Sequence, residues 1–196
     1  EIYKSENIKV IGCDIENCGD KANIFGFYSG VEIDNSSKNI RVIDNNIKNI
    51  GYGVFSNGGP ILTNLAAVED VIVSGNIIEN VTNDGVSGFD WLDTWKVHDN
   101  ILRNIGREAI KFTFVDPNAS GNTDKHCQNF EIYNNTIYEF NTDNTVRAAI
   151  RFQGHGVKIT GNKVKNLDPL ITSNTYGIIA SDSVITVPTG DVQSCT

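Results

Sequence analysis

The sequence predicts an all-β chain: a parallel β-helix of about six coils, three short strands per coil, with loops issuing from the third strand. Three observations predict it. A motif of six defined positions returns six times along the 196 residues. Its apolar residues alternate with period 2, the period of a strand and not of a helix. The motif keeps one length while the spacing between copies runs 32, 31, 24, 35 and 27 residues, as expected of coils with rigid sides and loops of free length.

The first strand of each copy opens at Ile8, Ile40, Val71, Trp95, Phe130 and Val157. Its second inward residue is Val10, Val42, Val73, Val97, Ile132 or Ile159. A turn follows at Cys13, Asn45, Asn76, Asn100, Asn135 and Asn162. Asparagine suits this place because its amide bonds nearby backbone and tolerates the left-handed region. Stacked coils would align these amides into an inward ladder, broken by Cys13.

The second strand carries Ile15, Ile47, Ile78, Leu102, Ile137 and Val164, and closes on Cys18, Ile50, Val81, Ile105, Phe140 and Leu167. Between these lies a second asparagine row, Asn17, Asn49, Asn80, Asn104 and Asn166, which Glu139 interrupts on the solvent side. A third strand opens on a small residue that bends the chain. Its copies start at Gly30, Gly53, Gly85, Ala109, Ala149 and Gly177. The whole of 1–196 reads as a single domain of this kind.

Both ends read as open. No amphipathic helix precedes Ile8 to cap the first rung, and "SVITVPTGDVQSCT" reads as a partial coil around Val184 and Val187. With no methionine and Glu at position 1, the chain reads as a processed piece or an excerpt of a longer polypeptide, or as one whose end a partner chain covers. The net charge of −8 and pI near 4.8 disfavour nucleic acid as a partner. No apolar run approaches a membrane span, and the mean hydropathy is −0.22. Cys13, Cys18, Cys127 and Cys195 show no metal spacing; a Cys13–Cys18 bridge has no support, and buried free thiols are the plainer reading.

The N-I-x-V-x-x-N-x-I-x-N-I phrase resembles the repeats of right-handed parallel β-helix proteins of the pectate-lyase-like superfamily, over roughly residues 5–187. The resemblance implies right-handed, single-stranded winding. It also implies a polysaccharide or oligosaccharide ligand along a side groove, and a secreted, extracellular or virion-associated setting. That superfamily holds polysaccharide lyases, glycoside hydrolases, uronan epimerases and phage tailspikes. Tailspikes imply a homotrimer, although no heptads here show one.

Candidate site residues follow from the third strand, whose middle residue should face outward: Glu32, Phe55, Ser87, Lys111, Arg151 and Ile179. Loops expected at 57–69, 88–94 and 113–128 flank this stripe. In Phe89-Asp90-Trp91-Leu92-Asp93-Thr94-Trp95, two carboxylates beside an indole suit glycosidic hydrolysis, one as acid and one as base or nucleophile. The stretch is similar to the Asp-x-x-Asp with adjacent Trp of some tailspike endoglycosidases. The competing reading is a turn, with Trp95 in the core. Lys111 and Arg151 on adjacent coils suit β-elimination on a uronate; the competing reading pairs them with Glu32, Glu108 or loop acids. His98, His126 and His155 read as surface residues. No cofactor is expected, apart from calcium at the oxygen-rich 114–124 stretch, which lacks a D-x-D-x-D-G spacing. Three functions therefore stand: endoglycosidase, uronate lyase, and a non-catalytic glycan-binding or fibre segment.

Overall fold

A computed structural model of the chain describes residues 1–18, 28–58, 67–113, 127–142, 147–165 and 175–181. The 114–124 stretch, His126, Asn166, Leu167, Val184, Val187 and Cys195 lie outside the described residues. Among those described there is no helix, and every strand pairing is parallel. The strands form curled sheets in a solenoid-like arrangement, consistent with a parallel β-helix.

The repeat alignment is the register. On the first-strand face, Lys9–Ile11, Lys38–Ile43, Val68–Ser74, Leu92–His98 and Cys127–Tyr133 pair in succession, and the last pairs with residues 154–160 of Arg147–Thr160. Val10, Val42, Val73, Val97, Ile132 and Ile159 meet as direct partners. The second-strand face stacks Asp14–Glu16, Asn46–Ile50, Ile77–Val81, Ile101–Ile105, Thr136–Phe140 and Lys163–Lys165, in a sheet of six strands. The third-strand face stacks Ile2–Tyr3, Ser29–Asp34, Tyr52–Asn57, Val86–Phe89, Ile110–Thr113, residues 147–153 and Thr175–Ser181.

The expectation of three separate strands in every coil differs at Arg147–Thr160. This single strand of 14 residues serves two faces, so the first- and third-strand faces merge into one sheet of 12 strands. The chain bends inside the strand and needs no loop, because Gly154 and Gly156 take φ of 153° and 64°. A Cβ on Gly154 would also run into the Cys127 carbonyl. The expected loop at 88–94 shrinks likewise. Only Asp90 and Trp91 separate Val86–Phe89 from Leu92–His98, because Asp90 turns the chain in the left-handed region at φ 68°.

Inward residues fill the interior. Ile40, Val71, Trp95, Phe130 and Val157 stack in one column, none more than 4% exposed. Trp95 takes the core position expected of it: its ring lies parallel to Phe130 at 6.1 Å and edge-on to Phe112 at 5.4 Å. Its indole N–H donates to the Val68 carbonyl at 3.2 Å. Each fully buried aliphatic side chain of this kind contributes about 1.5–3 kcal/mol.

The turns between first and second strands depend on the amide ladder. Each Asn Oδ1 accepts both the backbone N–H and the Nδ2–H of the Asn on the preceding coil, at 2.9–3.1 Å from Asn45 through Asn162. Each Nδ2 also donates to a strand carbonyl of the coil before: Val10, Val42, Val73, Val97 or Ile132. Cys13 ends the ladder by donating its backbone N–H to Asn45 Oδ1. Cys13, Cys18 and Cys127 are free thiols; Cys127 is buried, whereas Cys13 and Cys18 are exposed, contrary to the expectation of buried thiols.

Three other columns, and not the ladder asparagines, take left-handed backbone. They run Asn7, Asn39, Asp70, Thr94, Asn129, Gly156; then Gly12, Asp44, Gly75, Asp99, Asn134, Gly161; then Asn17, Asn49, Asn80, Asn104, Glu139, all at φ between 50° and 66°. Asn, Asp and Gly dominate because other side chains clash there. Glu139 and the β-branched Thr94 are the two strained members.

Replacing Asn100 by Ala strands the Asn76 amide and the Val73 carbonyl and should cost about 3 kcal/mol. Glu139→Asn, which relieves a left-handed glutamate, should gain up to about 1 kcal/mol. Urea unfolding monitored by circular dichroism checks both; equal effects from the two substitutions would contradict the ladder's role.

Candidate functional site

The outward stripe predicted on the third strands exists as one register row. Glu32 pairs with Phe55, Phe55 with Ser87, Ser87 with Lys111, Lys111 with Arg151, and Arg151 with Ile179. Side chains widely separated in sequence thus line one rigid sheet. The row is not uniformly open. Phe55 is 3% exposed, packed between Tyr52 at 5.1 Å and Phe89 at 5.6 Å. Ser87 is fully buried. Lys111 and Arg151 remain partly exposed, and the Lys111 ammonium sits 5.3 Å from the Phe89 ring, a cation–π contact.

Beneath Lys111 lie two buried acids, Asp84 and Glu108. They occupy equivalent places on successive coils, each directly before the small residue that opens a third strand. Lys111 Nζ is 3.6 Å from Asp84 Oδ2 and 4.0 Å from Glu108 Oε2. Arg151 Nε is 2.8 Å from Glu108 Oε1, and Arg147 Nη1 is 3.9 Å from Glu108 Oε2. Among the described residues, three cations therefore converge on two carboxyls. Burial pushes the Asp84 carboxyl up to about 6, an effect that Lys111 opposes and Glu108 reinforces.

At the N-terminal end of the row, Glu32 and Asp34 lie close together. Burial first, and then the Asp34 charge, raises the Glu32 carboxyl to about 7. Asp34 is raised as well, by burial, although its Oδ1 accepts the Asn57 N–H at 3.0 Å.

The Asp90–Asp93 stretch is divided by the corner. Asp90 and Trp91 are half-buried at the bend that follows Phe89. Asp93 lies on the next face, in register with Glu69 and Gln128. Its carboxylate already accepts three donors: Gln128 Nε2 at 2.8 Å, Asn129 Nδ2 at 2.8 Å and Thr94 Oγ1 at 2.9 Å. The structure thus brings Lys111 and Arg151 together on one sheet and sets Asp90 and Asp93 on either side of a corner. His98 is half-buried, stacked on Tyr133 at 4.6 Å with Asp99 Oδ2 2.7 Å from its Nδ1; His155 is also partly buried. No group of three metal-ligating side chains occurs among the described residues.

Aligning third strands from their opening small residue left out the position before it. Asp84-Gly85-Val86 and Glu108-Ala109-Ile110 show the acid pair once that position is read as part of the coil. Arg147, two residues before Ala149, carries no such periodic mark. Comparison with protein-family models, with curated proteins and with solved structures finds no match to this chain.

Glu32 titrates higher in the folded chain than in the unfolded one. The stability it contributes is whole below its ordinary carboxyl range and is lost as pH rises through about 7. Glu32→Gln should therefore raise the Tm at mildly alkaline pH and leave it unchanged in acid. Thermal melts at both pH values test this; an equal shift at both would exclude a raised Glu32.

Proposed function

We propose that the chain winds as a right-handed, single-stranded parallel β-helix of about six coils and that it is a carbohydrate-active depolymerase. Its polysaccharide lies along the third-strand face. The observation that carries this reading is the pairing of Lys111 with Arg151 in one outward register row, with Phe89 against the ammonium. A repeating polymer suits a row of equivalent positions on rigid strands, and convergent cations suit an acidic sugar.

The geometry favours uronate β-elimination among the available chemistries. Arg151 neutralises the sugar carboxylate, which acidifies the proton on C5. Lys111 takes that proton as base, in its neutral amine form, and becomes an ammonium. The C–H electron pair becomes the C4–C5 double bond, the C4–O bond breaks, and the departing oxygen takes up a proton from the Lys111 ammonium or from water. Glu32 extends the row toward neighbouring sugars, while Phe55, buried, packs against Phe89 and Ser87 is buried within the row. Calcium at the 114–124 stretch, an extracellular or virion setting and a homotrimer belong to the same reading.

Hydrolysis by Asp90 and Asp93 with Trp91 is the second reading. It is favoured by the place of Asp90 and Trp91 at the bend directly after Phe89, at the rim of the same row. Against it stand the three donors that already fill the Asp93 carboxylate.

A panel of acidic and neutral polysaccharides, assayed for new reducing ends and for ultraviolet absorbance of unsaturated product, separates these readings. Both signals should rise on a uronate polymer. Lys111→Ala and Arg151→Gln should each lower the rate by about 100-fold or more, the usual worth of a positioned acid–base or charge-stabilising group. Asp93→Asn should leave it within a few-fold. Reducing ends without unsaturated product would establish hydrolysis instead. Glycan binding without turnover would leave a binding or fibre segment, and neither binding nor turnover would sink the carbohydrate reading.

A further inference from the structure

Neither cleavage reading uses the two acids beneath Lys111. Asp84 and Glu108 are 0% and 1% exposed. The Glu108 N–H donates to Asp84 Oδ1 at 3.2 Å, and the two carboxyl groups flank one ammonium, with Lys111 Nζ 3.6 Å from Asp84 Oδ2 and 4.0 Å from Glu108 Oε2. Asp84 Oδ2 and both Glu108 oxygens are buried without a hydrogen-bond donor, since the cations approach at ion-pair distance without hydrogen-bond alignment. Buried oxygens of this kind are costly. One proton held between the carboxyls supplies the missing donor and removes the repulsion of two like charges. Beside them Ser87, the register partner of Lys111, holds a fully buried hydroxyl with no hydrogen-bond partner.

We propose that Asp84 and Glu108 share a proton and act as positioning residues that set the charge of the Lys111–Arg147–Arg151 cluster, making it a pH-tuned receptor for a sugar carboxylate. This rests on the acidic-polysaccharide reading above. With the proton held, three cations face one carboxylate; with it lost, they face two. The local charge falls by one unit. The raised Asp84 carboxyl places that change near pH 6, with burial as its main cause. Among the described residues, the charged and titratable groups facing the pair are Lys111 from the following strand, Arg147 and Arg151 from the strand beyond, and Tyr52 from the strand before. Arg107, next to Glu108, acts on Tyr52 from the same side. The Tyr52 hydroxyl is itself pushed up, first by burial and then by Asp84, so it stays neutral through this range.

Charge thus rises as pH falls, while a uronate keeps its own negative charge until well below pH 5. Sugar-carboxylate affinity should therefore increase as the pair takes up its proton, and binding should draw a proton from solution. This is a thermodynamic consequence of linkage, not of any movement.

The probe is trigalacturonate, titrated calorimetrically into the full chain in buffers of differing ionisation enthalpy. Affinity should be about fivefold higher at about pH 5 than at about pH 8, the effect of one unit charge a few ångströms away in a partly hydrated site. Proton uptake should accompany binding between these limits. Asp84→Asn, with its fold checked by melting, should bind at both pH values as tightly as wild type does in acid, with no proton uptake. Ligand-free wild type supplies a second reading that needs no variant: the Arg151 Nε–H resonance should move with pH, with its midpoint near that of the acid pair.

A pH-independent affinity in wild type, an unchanged pH slope in Asp84→Asn, or an Arg151 resonance that stays still would each overturn the shared proton while leaving the glycan reading intact. Failure of trigalacturonate to bind at either pH would instead remove the receptor together with the acidic-glycan reading, and the Arg151 titration would still decide the carboxyl pair.

Discussion

Vertical hydrogen bonding between buried asparagine amides is the constraint on which the rest of the structure depends. A chain that turns a corner inside its own core leaves backbone N–H and C=O groups without water, and each must find a partner. In Asn45, Asn76, Asn100, Asn135 and Asn162 the side chain answers that demand on both sides: it accepts from the turn of one coil and donates to a strand carbonyl of the same coil. The ladder therefore fixes the rise and rotation of each coil relative to the next. Slipping one coil by a residue would unpair the amides and turn Val73 or Val97 out to solvent.

The same periodicity governs the outside. Left-handed residues recur at fixed places because each corner needs the same backbone reversal at the same distance from the ladder. Salt bridges also link equivalent positions on neighbouring coils: Glu16 with Lys48 at 3.1 Å, Lys38 with Glu69 at 3.0 Å, and Glu79 with Arg103. Each is worth little alone at an exposed site. Their regularity shows that the surface is written in the same register as the core.

On the third-strand face that register has chemical consequences. Stacking turns a residue type repeated along the chain into neighbours a few ångströms apart. Lys111 and Arg151 are 40 positions apart in sequence and direct partners in the sheet. Asp84 and Glu108, which would repel one another in water, are brought together out of solvent and stay there because three cations surround them. The proposed glycan chemistry and the proposed proton-sharing pair both draw on this one property, a rigid array that concentrates charge. The acidic balance of the chain as a whole is no guide to the point on this face where Lys111, Arg147 and Arg151 converge.

The sequence by itself determined the all-β class, the parallel stacking, the Asn ladder, the inward place of Trp95 and the register row from Glu32 to Ile179. These were legible because every coil repeats the same local demand, so period and register can be read as pattern. Only the tertiary structure decided that Arg147–Thr160 runs unbroken through a corner, that Asp93 has its oxygens filled by Gln128, Asn129 and Thr94, that Phe55 and Ser87 are buried within the row, and that Asp84 and Glu108 are both buried beneath Lys111. Apart from the equivalent places of Asp84 and Glu108, none of these is periodic. Each depends on which side chain of a neighbouring coil happens to reach the same point, and on how much water is excluded there. Burial and charge proximity of that kind arise between coils, where a pattern along one strand carries no record of them.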